Sequence, residues 1–516
     1  MNESNNNLFE KTIEKRKENI LNWFKNPYNL AFAGIIVLAI VLYIYYFIMT
    51  KNQPLWWDEA EYMSGGAHIA FGIPYEINPQ RPILFQLMIA ILLKIGFGEN
   101  AIKFILSTFP GVLVVFFSYL LAKEMYGDKR IALITSFIMS VLWIMLFYSM
   151  RIMTDSISFT LILAAYYFFW KGKINEKGKH FIWLVGPLLS IAFMIRIFAA
   201  FFGIILIIYL LFTEKTKTFK DKNLWISFGL AILLLVPFGV WYTVQHGSIT
   251  SLWTSNNPSA NLDKVPIAWY LFKTIPTHLE LPFFIFFIIG LITCNLFLSL
   301  DIFLKEKNKK LYADFFNILL IIGVISFFVF YLRAAEDRWM MPIAFGLFVF
   351  SAKGIIFIQD FAKLYLGKNL ALILILIILG IGGYYHISHS DMIIKNKLTS
   401  YSQVRDAGFW LKEHTNPNDI IMSMSETQIT YYSERKVIRP AWNETEHYER
   451  IKKYKPKYIM ISIFEAHPEF AYRPREIFSN FTTIVNVYFA DAAKTQPILI
   501  IYEVNQTALE ELSINI

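Results

Sequence analysis

Apolar stretches of about 18 to 20 residues recur along this 516-residue chain and constrain its fold more than any other feature. A helix of that length crosses the roughly 30 Å hydrocarbon core of a bilayer. The composition agrees, because 56% of the residues are hydrophobic and only 17% are charged, whereas soluble domains carry about a quarter charged. The sequence predicts a polytopic α-helical membrane protein. Its eleven expected spans lie near residues 30–49, 104–122, 131–149, 153–170, 181–196, 197–212, 224–244, 281–300, 314–332, 339–358 and 369–386.

The formal net charge of +9 lies largely in short loops between apolar runs, such as KEMYGDKR, KGKINEKGKH and KEKNKK. Basic loops of this kind are typical of the cytoplasmic side, so the charge does not indicate nucleic-acid binding. We therefore expect a multi-pass protein of the plasma membrane with a cytoplasmic N-terminus. The single cysteine, Cys294, excludes an intrachain disulfide.

Residues 81–98 are apolar, but the run is shorter than the ~20 residues that a transmembrane helix needs, and it contains Lys94. If they crossed the membrane, every later basic loop would move outside. We interpret them as an interfacial or re-entrant helix in the first outer loop. The predicted turn at Arg196 joins two spans with almost no loop between them.

The composition changes near residue 390, where polar residues increase and short β-branched or aromatic runs alternate with helical patterns. The predicted strands are DIIMSMS, PKYIMISIF, TTIVNVYFA and PILIIYEV, and the predicted helices are QVRDAGFWLKEH and ETEHYERIKKY. We predict three segments: a cytoplasmic segment 1–28, a transmembrane catalytic domain 29–389, and an extracytoplasmic α/β domain 390–516. The last contains three Asn-x-Ser/Thr triplets, which support an outside location only weakly.

The first outer loop contains the acidic stretch WWDEAEY, with Asp58, Glu59 and Glu61. One interpretation is local, because Asp58 as N-cap and Glu61 three residues later form a capping box. It leaves Glu59 and the two tryptophans unexplained. The other interpretation is functional, since carboxylates beside a membrane are candidates for chemistry.

Further charges fall at the predicted outer ends of spans. Asp155 follows Arg151 by four residues, and the pair alone fits a local i, i+4 interaction. The segment RAAEDRW, which includes Arg333, can be interpreted locally as a solvated loop whose charged side chains pair with one another. The remaining charged candidates are Arg81, Arg196, Glu336, Asp337 and Arg338. A carboxylate can deprotonate an acceptor hydroxyl, and arginines can bind a departing phosphate. A polyprenyl-phosphate sugar at the membrane surface fits both.

The order of WWDEAEY, Gly72–Tyr75, RPILFQLMIAILLKIGFGEN, YSMRIMTDSISF and DRWMMP resembles the GT-C membrane glycosyltransferases. The resemblance is greatest to the branch of protein O-mannosyltransferases and lipid A aminoarabinose transferases. It departs from that pattern at RPI, where relatives have two prolines, and at DRW, where they more often have Arg-Tyr.

The resemblance implies an inverting transfer of a hexose or pentose from a polyprenyl- or dolichyl-phosphate donor to a protein, lipid or glycan hydroxyl. It implies catalytic roles for Asp58, Glu59 and Asp155. It also implies that Arg81, Arg196 and Arg338 bind the donor phosphate. The substrate pocket then includes Glu61, Tyr62, Tyr75, Arg151, Glu336 and Asp337. A divalent cation, Mg²⁺ or Mn²⁺, is allowed at Asp58 and Asp155, and residues 245–280, with Trp253, Trp269 and Tyr270, are a candidate lid.

Other functions fit parts of the same pattern. A lipid-linked sugar flippase also carries charges among its spans, but it would place them near the bilayer midplane and show internal repeats. We find no such repeat. A catalytically inactive scaffold and an oligosaccharide-transferring ligase are the remaining alternatives, and the latter usually needs a larger outer domain.

Overall fold

A computed structural model of the chain describes residues 18, 22–250, 252, 270–293, 309–332, 336–468, 470, 481–491 and 493–511. The helices within these residues are α1 (Pro27–Met49), α2 (Trp57–Phe71), α3 (Ile83–Lys94), α4 (Glu99–Lys103), α5 (Phe109–Tyr126), α6 (Lys129–Val141), α7 (Trp143–Tyr148), α8 (Thr154–Phe169), α9 (Val185–Ile195), α10 (Ala200–Glu214), α11 (Lys222–His246), α12 (Ile275–Thr293), α13 (Lys309–Ser326), α14 (Ala344–Asn396), α15 (Ser402–His414), α16 (Glu426–Ser433), α17 (Glu444–Tyr454) and α18 (Gln506–Glu511). The strands are β1 (Ile420–Ser423), β2 (Lys436–Ile438), β3 (Tyr458–Ser462), β4 (Thr482–Phe489) and β5 (Pro497–Val504).

Several helices begin at side chains that satisfy their first free N–H groups. Asp128 accepts from the Arg130 N–H at 2.8 Å, and Asp221 accepts from the Asn223 N–H at 2.9 Å. Asn443 does the same for Glu446 at the start of α17. Such caps fix where each helix starts and typically stabilise it by about 1 kcal/mol.

The chain divides into two compact units. The first contains residues 1–49, 104–150 and 154–393, and the second contains residues 50–103, 151–153 and 394–516. Both units combine segments that are far apart in sequence. The three predicted segments, 1–28, 29–389 and 390–516, stay a prediction.

The first unit is helical and apolar on its outside as well as inside. Within the described residues, seven helical stretches are long and apolar enough to cross a membrane: Pro27–Met49, Glu99–Tyr126, Ile197–Lys220, Lys222–His246, Phe272–Thr293, Lys309–Phe330 and Asp337–Asn396. On α11, Leu233 and Val244 are 67% and 81% exposed. Apolar surface of this extent indicates contact with lipid.

The structure changes several predicted span boundaries. The predicted span 131–149 is broken at Leu142 into α6 and α7, and the break predicted at Arg196 is present. The predicted spans 339–358 and 369–386 join in α14 across a non-helical residue, Gly367. Residues 294–308 lie outside the described part of the chain, so the count of eleven stays a prediction.

The C-terminal part of the second unit is a three-layer α/β arrangement. Its sheet has the order β2-β1-β3-β5-β4, in which β1 runs parallel to β2 and β3, while β5 is antiparallel to β3 and β4. Alternate residues of β1, β3 and β5 enter opposite cores, as in strands buried on both faces. Ile421 packs with α15 and α16, whereas Met422 packs with α17.

Helices α2 and α3, also in the second unit, approach each other closely at two glycines. A Cβ at Gly65 would overlap the Gln86 side chain, and one at Gly66 would overlap Ile89. Tyr62 packs edge-on against Phe85 with ring centroids 5.0 Å apart. The short α3 corresponds to the predicted helix within 81–98 and is too short to be one of the seven long apolar stretches.

Candidate active site

The start of α2 gathers two carboxylates around one arginine. Asp58 Oδ1 accepts from Arg81 Nη2 at 2.6 Å, and Glu61 Oε2 accepts from Arg81 Nε at 2.9 Å. Arg81 Nη1 donates to the Tyr62 hydroxyl at 3.2 Å. These contacts arise because residues three apart on a helix share one side. The structure thus brings together four predicted site residues.

This arrangement bears on the predicted phosphate role of Arg81. Burial lowers the pKa of Arg81, but Tyr62, Asp58 and Glu61 together raise it well above its ordinary value. The guanidinium is therefore held as a cation by protein anions. A donor phosphate would have to compete with both carboxylates, so the contacts favour a positioning role in which Arg81 orients Asp58.

Asn78 is a residue that the sequence interpretation did not select. Its Nδ2 donates to Glu61 Oε1 at 2.7 Å, while its Oδ1 accepts from the Gln80 N–H at 2.9 Å. The dipeptide Asn78-Pro79 is a turn signal that marks this position. Asn78 therefore helps to fix Glu61 and leads the chain to Arg81.

Glu59 has different surroundings from Asp58. It is 2% exposed, and its Oε2 accepts from Arg151 Nη1 at 2.9 Å and from the Trp56 N–H at 3.0 Å. Its Oε1 accepts from the Ile152 N–H at 2.8 Å. The Arg151 guanidinium lies 3.7 Å from the centroid of the Trp56 ring. Both oxygens of Glu59 thus bind protein groups, which favours a structural role.

Two local interpretations of the sequence are wrong. The N-cap of α2 is Trp56 and not Asp58, so Glu59 rather than Glu61 reaches back to the cap N–H. Arg151 does not form an i, i+4 pair with Asp155, because residues 151–153 are not helical and α8 begins at Thr154. Arg151 pairs with Glu59 instead.

In the first unit, three other predicted residues line one narrow cleft. Asp155 lies in the first turn of α8, Arg196 in the extended break after α9, and Arg338 in the 3₁₀ turn Asp337–Ile343. Asp155 Oδ1 pairs with Arg196 Nη1. The other oxygen, Oδ2, is buried and accepts no hydrogen bond from any described residue.

The walls of this cleft are apolar. They are formed by Phe159, Ile162, Phe198, Ala199, Phe202, Met341 and Pro342, together with Ser158. The free volume is about 10 Å³, which is about the space of one water molecule. A charged group in such surroundings is exposed to a low dielectric, so each electrostatic contact is stronger than in water.

The loop before Arg338 is partly self-paired, as the local interpretation predicted. Glu336 Oε2 accepts from Arg338 Nε at 2.8 Å. The backbone carbonyl of Asp337 lies 3.0 Å from His278 Nε2. Arg333 lies outside the described residues, as do residues 251 and 253–269 of the predicted lid.

Tyr75 lies in the second unit and lines a surface pocket with residues of the C-terminal domain. Burial raises the pKa of its phenol above the ordinary value, and the charges of Glu61 and Glu426 raise it further. Tyr75 therefore stays protonated and can only act through its hydroxyl or its ring. Its predicted place in a substrate pocket stays a prediction.

No group of three or more His, Cys, Asp or Glu side chains suited to a metal ion occurs within the described ranges. Asp58 pairs with Arg81, which it shares with Glu61, and Asp155 pairs with Arg196. The Mg²⁺ or Mn²⁺ allowed at Asp58 and Asp155 stays a prediction, and we derive no chemical step from it.

Comparisons with known proteins bear on the fold. Residues 80–241, less than half of the chain, match the family model described as dolichyl-phosphate-mannose-protein mannosyltransferase. An uncharacterized protein of Aquifex aeolicus (strain VF5) is 24% identical over 226 residues, which are 41% of this chain. The match covers only 43% of that relative's length.

Two kinds of solved structure are similar over most of the chain. ArnT from Cupriavidus metallidurans bound to undecaprenyl phosphate has a TM-score of 0.65 at 12% identity, covering 91% of this chain and 97% of ArnT. The archaeal oligosaccharyltransferase AglB from Archaeoglobus fulgidus, in complex with an inhibitory peptide and a dolichol-phosphate, has a TM-score of 0.58 at 14% identity. The match to AglB covers 86% of this chain and 70% of AglB.

At these identities, similarity of structure establishes the fold. The predicted polytopic helical membrane protein with a small C-terminal α/β domain is confirmed. The resemblance to protein mannosyltransferases is supported over residues 80–241 by the matching family model, and the aminoarabinose transferase-like ArnT shares the fold. The roles of the predicted site residues stay predictions.

Proposed function

We propose that this chain is a membrane glycosyltransferase that transfers a sugar from a polyprenyl- or dolichyl-phosphate carrier to an acceptor hydroxyl. The transferred sugar is a hexose or a pentose, and its anomeric configuration inverts. The acceptor is a protein, lipid or glycan at the outer face of the plasma membrane. The fold that the chain shares with ArnT, solved with undecaprenyl phosphate, supports this class of donor.

One observation carries the proposal: in the first unit, Arg196 and Arg338 line the same apolar cleft that Asp155 lines. Among the described residues, Arg196 pairs with Asp155 and Arg338 pairs with Glu336, whereas Arg81 pairs with two carboxylates. The two guanidinium groups of the cleft suit a phosphate, which they can bind with charge-assisted hydrogen bonds. Lipid-like walls suit the isoprenoid that carries the phosphate. The cleft must widen to admit a phosphate, because its present free volume is about 10 Å³.

The proposed reaction uses Asp58 as the base. The Asp58 carboxylate takes the proton of the acceptor hydroxyl while that oxygen forms a bond to the anomeric carbon. The bond from the anomeric carbon to the phosphate oxygen breaks, and the electron pair leaves with the polyprenyl phosphate. Arg196 and Arg338 stabilise the charge that develops on the leaving phosphate. Attack opposite the leaving group inverts the configuration.

The test is transfer in lipid vesicles that contain the purified full-length chain and a panel of radiolabelled polyprenyl-phosphate hexoses and pentoses. Membrane extract supplies the acceptors. We expect transfer by the wild-type protein and loss of transfer by Asp58→Asn. Arg338→Ala should mainly raise the donor KM, because it removes a phosphate ligand. Addition of EDTA in parallel tests the allowed Mg²⁺ or Mn²⁺.

A matched control is Arg130→Ala, since Arg130 is also an ion-paired arginine of the membrane unit, bonded to Asp128 and Asp360. It should keep both kinetic constants near their wild-type values. Movement of labelled lipid across the bilayer without any transfer would replace this proposal with the flippase. Equal transfer by wild type and Asp58→Asn would remove Asp58 from the mechanism.

A further inference from the structure

The second unit contains a surface groove that the reaction above does not use. It consists of two adjoining pockets of about 950 Å³ and 500 Å³ that share Arg439, Glu446 and Arg450. Both volumes lie in the range of roughly 300 to 1,000 Å³ that is usual for small-ligand sites. The groove lies wholly within the second unit, the unit that holds Asp58.

Aromatic rings stand along the groove. Trp57 and Trp442 line the smaller pocket, while Tyr75 and Tyr454 line the larger one. Trp442 is 65% exposed. At this exposure Trp442 is not a core residue, and Trp is enriched at contact surfaces because its ring combines an apolar body with a polar N–H. Trp57 immediately precedes Asp58, so the groove reaches the start of α2.

The polar groups of the groove are held in place before any ligand binds. Arg439 Nε donates to Glu426 Oε2 at 2.5 Å, and its guanidinium lies 4.9 Å from the centroid of the Trp57 ring. Arg450 pairs with Glu446 at 2.6 Å and donates to the Arg439 carbonyl at 3.0 Å. Side chains fixed in this way lose little freedom when a ligand binds.

Glu465 supplies a group that needs a partner. Its Oε1 is buried in the wall of the smaller pocket and forms no hydrogen bond with the described residues. Burial raises the pKa of Glu465 to about 7, although the charge of Arg439 opposes this. A buried carboxyl oxygen without a partner is costly, and a ligand hydroxyl would satisfy it.

We propose that this groove binds the saccharide part of a glycan acceptor and delivers one of its hydroxyl groups to Asp58. Sugars present apolar faces that stack on indole and phenol rings, and their hydroxyls bond to carboxylates and guanidinium groups. The groove offers both kinds of partner along one surface. This inference rests on the proposed function, and it selects a glycan over a peptide or a lipid as the acceptor.

A peptide acceptor is the main competitor, because the edge strand β2 also lines the larger pocket. An extended peptide can add to an exposed sheet edge through main-chain hydrogen bonds. However, β2 has only three residues and is followed at position 440 by a proline, which has no N–H to donate. The edge strand β2 is therefore too short to pair with much of a peptide. The aromatic rings and carboxylates, by contrast, line the groove beyond the end of β2.

The first experiment measures binding without any donor. The full-length protein in nanodiscs is titrated with p-nitrophenyl glycosides of mannose, glucose, galactose and N-acetylglucosamine, with their disaccharides, and with Ser/Thr peptides. Saturation-transfer NMR reports the bound groups. We expect at least one saccharide to bind, and Trp442→Ala and Glu465→Gln each to weaken it at least about tenfold.

The matched control is Ile463→Ala, because Ile463 is 64% exposed on the same domain and does not line either pocket. It should bind saccharides as wild type does. Glu465→Gln keeps the side-chain shape, so its result stands even if Trp442→Ala misfolds. Binding of no saccharide, or unchanged binding in both variants, overturns the inference, as does binding of the peptides alone.

The second experiment separates the inference from the proposed function. With a donor and the bound saccharide, Trp442→Ala should raise the acceptor KM about tenfold and leave kcat and the donor KM unchanged. Asp58→Asn should bind the saccharide normally and lose transfer. If saccharide binding depends on Trp442 but no donor supports transfer, the groove stands and the transferase proposal fails. If transfer goes to a peptide and is indifferent to Trp442, the transferase stands and the groove assignment fails.

Discussion

Asp58 and Glu59 are neighbours in the chain, yet their carboxylates differ in almost every physical respect. Glu59 is 2% exposed and binds Arg151 and two backbone N–H groups through its two oxygens. The Asp58 side chain is 18% exposed, against 3% for the Glu59 side chain, and it shares Arg81 with Glu61. A carboxylate whose oxygens are all bound by protein holds the fold together, whereas one that reaches solvent can meet a substrate.

The largest expected effect comes from Asp58→Asn. Loss of a general base typically reduces kcat by about 10²- to 10⁴-fold. The melting temperature should change little, since Arg81 keeps its contact with Glu61. Transfer of radiolabelled sugar measures the first quantity and thermal unfolding the second. Asp128→Asn is a suitable control, because Asp128 is also an aspartate paired with an arginine near a helix start. If Asp58→Asn lowers the melting temperature and Asp128→Asn does not, Asp58 has a structural role like that of Glu59, and the contrast between the two carboxylates is wrong.

Glu59→Ala should act on stability first. Removal of one partner from a buried ion pair typically lowers the free energy of unfolding by about 3 to 5 kcal/mol, because the other charge is left buried. Chemical denaturation of the purified protein measures this loss. The double variant Glu59→Ala with Arg151→Met should recover part of it. By contrast, Glu434→Gln at the exposed Lys412–Glu434 pair should cost less than about 1 kcal/mol. A stable Glu59→Ala protein without activity would show that Glu59 takes part in the chemistry.

Gly66→Ala tests the helix packing that supports the Asp58 cluster. An added methyl group would overlap Ile89 of α3, and overpacking of this kind typically costs about 1 to 3 kcal/mol. Gly65→Ala should cost less, since it meets the flexible end of Gln86. Gly98→Ala is the control, because no atom lies within 4 Å of the added position. Equal unfolding free energies for all three variants would refute the close packing of α2 and α3.

The smallest effect concerns Glu465, a carboxylate with a buried oxygen and no arginine bound to it. Burial raises its pKa to about 7, so the folded state binds a proton more readily than the unfolded state, whose glutamate has its ordinary pKa near 4.5. This contribution to stability is therefore present at low pH and is lost as the pH rises from about 4.5 to 7. Unfolding measured across that range should show less pH dependence in Glu465→Gln than in wild type. An unchanged profile would mean that Glu465 titrates normally.

Local patterns predicted much of the fold. The runs DIIMSMS, PKYIMISIF, TTIVNVYFA and PILIIYEV contain β1, β3, β4 and β5, and both predicted helices of the C-terminal domain are present. The strand β2 was missed, because three residues carry too little pattern to distinguish a strand from a turn. Helix α16 was missed as well, because its sequence ETQITYYS is too polar to show an apolar helical face. Its residues are buried only by the elements that pack against it in the fold.

Residues of both charged clusters were selected from the sequence, but the pairings within the clusters were not. Residue types and positions selected Asp58, Arg81, Asp155, Arg196 and Arg338. The partners could not be derived, because Glu59 meets Arg151 across 92 positions and Asp155 meets Arg196 across 41. Local rules instead predicted pairs within one helical turn. The groove around Trp442 and Glu465 was also missed, since no spacing in the sequence marks residues that only the tertiary fold brings together.

The division of the second unit among three chain segments also governs how the protein is made. Helix α2 and the segment before it are held by α16, because Thr427 donates to the Trp57 carbonyl and the Leu55 N–H donates to the Tyr432 hydroxyl. The ribosome produces α16 only after every helix up to α15, so the face of α2 that packs on α16 stays exposed in the nascent chain until then. Bare apolar faces attract chaperones and proteases. A chain that stops before residue 426 would therefore be removed by quality control, even though every predicted catalytic residue had been translated.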